Sequence, residues 1–176
     1  MDSTLPVLYL LILLILLSVA GIFVIRQITK TRKTEIQLSN LKSKLTKEQG
    51  TIDEYYQLGS IFLEKKLYSQ ATELLQKAVK LKSSESSESF AKIYNALGFS
   101  YFAKDQYDIA IRQYKEALKI DPNYVTVYNN LGHAYEKKKL TAQALEAYES
   151  ALKCDPKNDT AKRRAESMRK RLIPSS

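Results

Sequence analysis

A 176-residue chain with one cysteine, one histidine, five glycines and no tryptophan holds little of what catalytic and metal sites are made of. The single cysteine, Cys154, excludes an intramolecular disulfide, and with the lone His133 it leaves no Cys/His set for zinc. The glycines are scattered singly, so no phosphate-cradling loop is spelled. His133 has no cysteine or serine partner in a catalytic arrangement and is favoured as a polar groove residue; Cys154 reads as a small packing residue. No cofactor, metal or catalytic group is expected, and nothing points to an enzyme.

Charge is missing from one long stretch. "LPVLYLLILLILLSVAGIFVI", residues 5–25, carries no acidic or basic residue. As a helix rising ~1.5 Å per residue it is about 31 Å long, which matches a hydrocarbon core of ~30 Å. Pro6 falls in the first turn, where a missing N–H costs little. A cleaved signal peptide is the competing reading, and Ser18-Val19-Ala20 resembles a cleavage site. The acidic start "MDST" and the apolar run past Gly21 favour an uncleaved anchor. Arg26, Lys30, Arg32 and Lys33 follow the span at once and no base precedes it. They are expected at the membrane surface, with the C-terminal body on the cytoplasmic or stromal side.

The net charge of +9 is unevenly spread. Residues 26–51 hold seven bases and two acids, residues 52–156 fourteen of each, and residues 157–172 seven and two. Two basic ends around a neutral body fit nucleic acid poorly and an anionic membrane surface better, beside the plainer reading of solvated helix faces. No nucleic-acid partner is expected. The stretch 26–51 reads as a basic helical neck, with Leu38, Leu41 and Leu45 on one face, too few for a coiled coil.

The middle of the chain repeats. "YNALGFSYFAKDQYDIAIRQYKEALKIDP" (94–122) is followed 34 residues on by "YNNLGHAYEKKKLTAQALEAYESALKCDP" (128–156). Tyr94, Leu97, Gly98 and Tyr101 share one helix face, and Ala110, Tyr114 and Ala117 share a second. "AKDQY" turns between them and Asp121-Pro122 stops the pair. An earlier copy runs through Tyr55, Leu58, Gly59, Phe62, Ala71, Leu75 and Ala78. The step from Gly59 to Gly98 is 39 residues, and its extra length falls in the polar stretch "KSSESSESF", expected as a flexible loop and open to phosphorylation.

This pattern resembles the tetratricopeptide repeat (TPR), with Tyr in place of the usual Trp and Ser83 in place of the first copy's proline. The expected fold is therefore all-α: a transmembrane helix (1–25), the neck (26–51), and a three-repeat TPR solenoid over 52–156. The repeats are approximately 52–85, 91–124 and 125–158. A basic capping helix and tail (157–176) follows, with Ala161, Ala165, Met168 and Leu172 as its apolar face. The resemblance implies a partner-binding concave face formed by the first helix of each pair. Its candidate residues are Tyr56, Ser60, Lys92, Asn95, Phe99, Phe102, Asn129, Asn130, His133 and Lys137. Amides and aromatics suit an extended peptide; that Phe99 and Phe102 only pack within the stack stays open. The chaperone-binding clamp of Lys, Asn and Arg is absent, since the matching positions hold Tyr56, Ser60, Ala96, Thr126 and Asn130.

Anchor, neck and first repeat ("EYYQLGSIFLEKKLYSQA") together are similar to the membrane-anchored TPR photosystem I assembly family of cyanobacteria and red-algal plastids. That resemblance implies a thylakoid protein that holds photosystem I subunits or assembly intermediates. The alternative is a signal-anchored TPR receptor that reads peptides of targeted proteins.

Overall fold

The computed structural model describes residues 4–81 and 87–172, and these are helical apart from short turns. The chain divides into two units, residues 1–48 and 49–176.

The first unit is one helix, α1 (Thr4–Lys47), 44 residues or ~66 Å long. Neither proline nor glycine interrupts residues 26–47, and Lys44 and Lys47 close the last turn, where positive charge meets the negative end of the helix dipole. Anchor and neck therefore differ in polarity but not in backbone. The large apolar side chains from Val7 to Ile25 are all exposed. Among the described residues α1 alone is long and apolar enough to cross a membrane, and none of its apolar window is buried within the protein.

The second unit is a stack of hairpins with a final single helix. Its elements are α2 (Ile52–Glu64), α3 (Tyr68–Lys80), α4 (Ser87–Ala103), α5 (Tyr107–Ile120), α6 (Val125–Lys137), α7 (Thr141–Cys154) and α8 (Asp159–Leu172). A capping box opens the stack: Glu54 N–H donates to Thr51 Oγ1 at 3.2 Å, and Thr51 N–H donates to Glu54 Oε2 at 3.0 Å. Each second helix carries a fully buried stripe: Ala71, Leu75 and Ala78 on α3, Ala110, Tyr114 and Ala117 on α5, Ala144, Tyr148 and Ala151 on α7. The glycine of each first helix faces the large member of that stripe. A β-carbon on Gly98 would stand 2.5 Å from Tyr114 Cδ1 and closer still to Cε1; on Gly132 it would meet Tyr148 at 2.7 Å and on Gly59, Leu75 Cγ at 2.9 Å. Hairpins close around this interlock because only glycine leaves room for the tyrosine ring or, at Gly59, for the leucine.

Successive hairpins join through mixed contacts. Between the first and second, the buried hydroxyls of Thr72 and Ser100 meet at 2.6 Å and both lie 2.8 Å from the Tyr68 carbonyl. Between the second and third, Val127, Leu131 and Ala134 of α6 pack on Ile111, Tyr114 and Ala117 of α5. Helix α8 closes the stack with Ala161, Ala165 and Met168 buried, whereas Leu172, at its end, is 45% exposed and does not extend that face into the core. Because α2 touches α4 and α4 touches α6, the first helices line the inner side of the bend.

Two local findings depart from the expected outline. Helix α4 already begins at Ser87, so part of the polar stretch expected as a loop is helical; burial of Ala91 and Ile93 fixes the turn it grows from. Residues 82–86 of that stretch lie outside the described residues. The three within-hairpin turns share one form: Lys66, Asp105 and Lys139 adopt left-handed backbone, with φ of 60°, 58° and 61°. In each the next N–H reaches back to a carbonyl five residues earlier: Leu67 to Phe62, Gln106 to Tyr101, Leu140 to Tyr135. This is the helix stop that glycine ordinarily occupies.

Candidate functional site

The inner face is built by a register that repeats along the first helices. One residue after each half- or fully buried tyrosine (Tyr55, Tyr94, Tyr128) stand Tyr56, Asn95 and Asn129. Four residues further lie Ser60, Phe99 and His133, and three beyond these Leu63, Phe102 and Glu136. All stand on the same side of their helices because four plus three residues make nearly two turns.

The amides couple to each other across hairpins. Asn130 Nδ2 donates to Asn95 Oδ1 at 3.0 Å, and Asn129 Nδ2 donates to Asn158 Oδ1 at 3.3 Å, just before α8. Asn158 Oδ1 also accepts the Ala161 N–H at 2.9 Å and so caps α8. Asn129 Oδ1 is buried and has no hydrogen-bond partner among the described residues. Tyr124, ahead of α6, completes the series: burial pushes its hydroxyl above the ordinary tyrosine range, and Tyr56 nearby adds to this. A hydrogen bond from Asn95 and the charge of Lys92 pull the other way. An asparagine side chain offers two N–H groups and one carbonyl, so each coupled amide keeps capacity for a further hydrogen bond. That capacity suits the backbone of an extended segment.

The two phenylalanines part ways. Phe102 is half-buried, its ring 4.7 Å from that of His133 and 5.4 Å from that of Tyr107. Phe99 is 41% exposed and meets Tyr68 edge-on at 6.4 Å. Burial holds His133 below the ordinary histidine value, Arg164 and Lys137 adding to the effect and Glu136 opposing it. The imidazole is therefore neutral at neutral pH and packs on Phe102 as a flat polar ring.

Next to it Glu136 is occupied. Its carboxylate, with the side chain only 9% exposed, accepts from Tyr148 Oη at 2.6 Å and pairs with Arg164 at 3.4 Å. Lys92 and Lys137 lie exposed along the same face, and Ser60 is half-buried. Tyr56 and Lys92 border a pocket of about 170 Å³ with Ile52, Asp53, Ser89 and Ile93. Arg26, Lys30, Arg32 and Lys33 are exposed on α1, just past its apolar part. Among the described residues no group of three His, Cys, Asp or Glu side chains is placed to hold a metal.

Tyr124, Glu136 and Arg164 were not among the sequence candidates. Tyr124 and Asn158 are 34 residues apart, so the repeat spacing itself marks them as equivalent. Glu136 sits in "YEKKKL", where it reads as one more solvated charge; only its distant partners distinguish it.

Family models for the tetratricopeptide repeat match residues 55–85, 100–139 and 125–158. Among curated relatives, the chloroplastic tetratricopeptide repeat domain-containing protein PYG7 of Arabidopsis thaliana is 38% identical over 118 residues, 67% of this chain and 39% of that protein. This chain thus spans well under half of that relative's length. The ycf37 protein of Guillardia theta is 35% identical over 125 residues, 71% of this chain and 70% of that one. Of solved structures, MamA superimposes with a TM-score of 0.70 at 24% identity, covering 76% of this chain and 75% of its own. The first TPR domain of Spaghetti (RPAP3), bound to an HSP90 peptide, gives a TM-score of 0.64 at 16% identity, covering 71% and 95%. At such identities the likeness is one of fold.

Proposed function

Because the chain belongs to the ycf37 family of tetratricopeptide-repeat proteins, we propose that it is a membrane-tethered scaffold that assists assembly or stabilisation of photosystem I. In this reading the apolar part of α1 crosses the thylakoid membrane, with Arg26, Lys30, Arg32 and Lys33 at its stromal or cytoplasmic surface. The solenoid then works on the stromal or cytoplasmic side. Tyr56, Lys92, Asn95, Phe99, Asn129, Asn130 and Lys137 engage an extended segment of a photosystem I subunit or assembly intermediate, and the Phe102–His133 pair forms the wall behind it.

One observation carries the reading: an apolar helix with none of its span buried in the protein shares a chain with an amide-lined, aromatic-edged inner face. The chloroplastic relative supports a plastid setting. The basic flank supports the sidedness, since positive residues stay on the side from which a membrane protein inserts.

The test is affinity capture of the tagged full chain from gently solubilised thylakoids, beside the Asn95→Ala/Asn130→Ala variant. Photosystem I subunits should dominate the wild-type capture and fall at least severalfold with the variant. A broad set of unrelated precursors would instead identify a targeting receptor, and capture that ignores the variant would remove the inner face from the mechanism.

A further inference from the structure

The turns inside the hairpins form one rim of the solenoid, and that rim is rich in lysine. The first turn brings Lys65 and Lys66, the second Lys104, and the third, with the end of α6, Lys137, Lys138 and Lys139. Acids on the rim are fewer: Glu64, Asp105, whose carboxylate accepts from the Tyr107 hydroxyl, and Asp108, which pairs with Lys138. Lys104 stands over the Tyr101 ring. Among the described residues Lys66 and Lys139 pair with no acid, and both occupy left-handed backbone where glycine would sit without strain. Strained residues persist where the surroundings or the function require that side chain.

Apolar surface lies beside this charge. Among the described residues outside α1, the large apolar side chains left exposed are Leu67, Phe99 and Leu172. Leu67 belongs to the first turn, and Phe99 meets the ring of Tyr68, the very next residue. The same rim thus offers two apolar contacts at one end, with Lys66 beside them and Lys139 at the other end.

We propose that this rim is a docking surface for an acidic protein segment that carries one bulky apolar side chain. The apolar residue seats on Leu67 and Phe99, and the flanking carboxylates run along Lys66, Lys137 and Lys139. Charge complementarity selects the occupant: a purely apolar partner would leave the lysines desolvated, and a purely acidic one would leave Leu67 and Phe99 wet. The inference rests on the reading of the solenoid as a partner-holding scaffold, and it adds which chemistry the partner presents beside the coupled amides, at the edge where Phe99 and Lys137 border both surfaces.

The experiment uses the full chain in phosphatidylcholine nanodiscs and fluorescence anisotropy with three labelled peptides. One alternates Glu and Gly around a central Phe, the second replaces Glu by Gln, and the third replaces Phe by Ala. The first should bind about tenfold more tightly than either control, as a few modest ion pairs or one apolar anchor give. Raising the salt should erase its advantage over the Gln peptide. Lys66→Gln with Lys139→Gln should weaken it severalfold, and Phe99→Ala about tenfold, with far-ultraviolet circular dichroism unchanged. Asn95→Ala with Asn130→Ala, which tests the inner face, should leave this affinity as it is, so the two readings fail separately. Equal binding of all three peptides would overturn the proposal. So would a failure of the acidic peptide to bind while phosphatidylglycerol vesicles bind through Lys66 and Lys139, since the occupant would then be a lipid headgroup.

Discussion

Gly98→Ala is the substitution on which the packing argument stands or falls. In an ordinary helix it would help, since alanine is favoured over glycine by about 1 kcal/mol. Here the new β-carbon would lie 2.5 Å from Tyr114 Cδ1 and closer to Cε1. Carbon atoms rest at roughly 3.5–4.0 Å, so the ring would have to retreat by about 1 Å. Tyr114 is only 1% exposed and is walled by Val127, Leu131 and Ala134 of the next hairpin, so retreat means displacing α6. Overpacking of this kind costs about 1–3 kcal/mol or somewhat more, enough to outweigh the propensity gain. We expect a net loss of ~2 kcal/mol and a fall in Tm of roughly 5–10 °C. Near-ultraviolet circular dichroism of the full chain in detergent suits the measurement, because with twelve tyrosines and no tryptophan the signal reports these rings. Gly132→Ala should cost less and Gly59→Ala least, following their 2.7 and 2.9 Å approaches. In a Tyr114→Ala background, Gly98→Ala should turn neutral or stabilising. A Gly98→Ala protein that melts higher than wild type would refute the interlock.

Three further predictions rest on separate features. Arg164→Ala strips a nearly buried Glu136 of its cation and should cost about 2 kcal/mol by thermal or urea unfolding; adding Glu136→Gln should restore part of the loss, and equal loss in single and double variants would deny the pairing. Lys139→Gly relieves left-handed backbone at an exposed turn and should raise stability by ~1 kcal/mol, whereas a decrease would show that the lysine side chain holds the turn. Burial raises the hydroxyls of Tyr114 and Tyr148 well above 10.0, with the Glu136 contact adding at Tyr148, so the folded state keeps protons that the unfolded state loses above that pH. Their stabilisation is complete below pH ~10 and declines above it by about 1.4 kcal/mol per pH unit for each tyrosine; Tyr114→Phe should flatten the alkaline slope of the unfolding free energy by one such increment.

The fold was legible because its signal is local. Gly98, Tyr101, Ala110 and Tyr114 lie within two helices, and the 34-residue recurrence marks the same roles again. The fold class, the place of the turn between Tyr101 and Tyr107 and the stop at Asp121 follow from spacing. What spacing does not carry is which polar group finds which. Asn95 and Asn130 are 35 residues apart and Asn129 and Asn158 are 29 apart, and no periodicity tells whether an asparagine faces solvent or its neighbour's amide. Phe99 and Phe102 are a single turn apart on one face, yet only the packing of α6 separates an exposed ring from one held against His133. Lysine at the left-handed turn positions is illegible for the opposite reason: the sequence breaks a local rule there, and the backbone follows the rule all the same.

The unbroken course of α1 has a geometric corollary. A helix has no swivel, so its polar half inherits the azimuth of its apolar half. One residue inserted between Ile25 and Lys47 would rotate one half against the other by about 100° while lengthening the rod by only ~1.5 Å. Seven inserted residues would nearly restore the azimuth at a gain of about 10.5 Å. Within α1, length and azimuth are thus set by separate counts of residues.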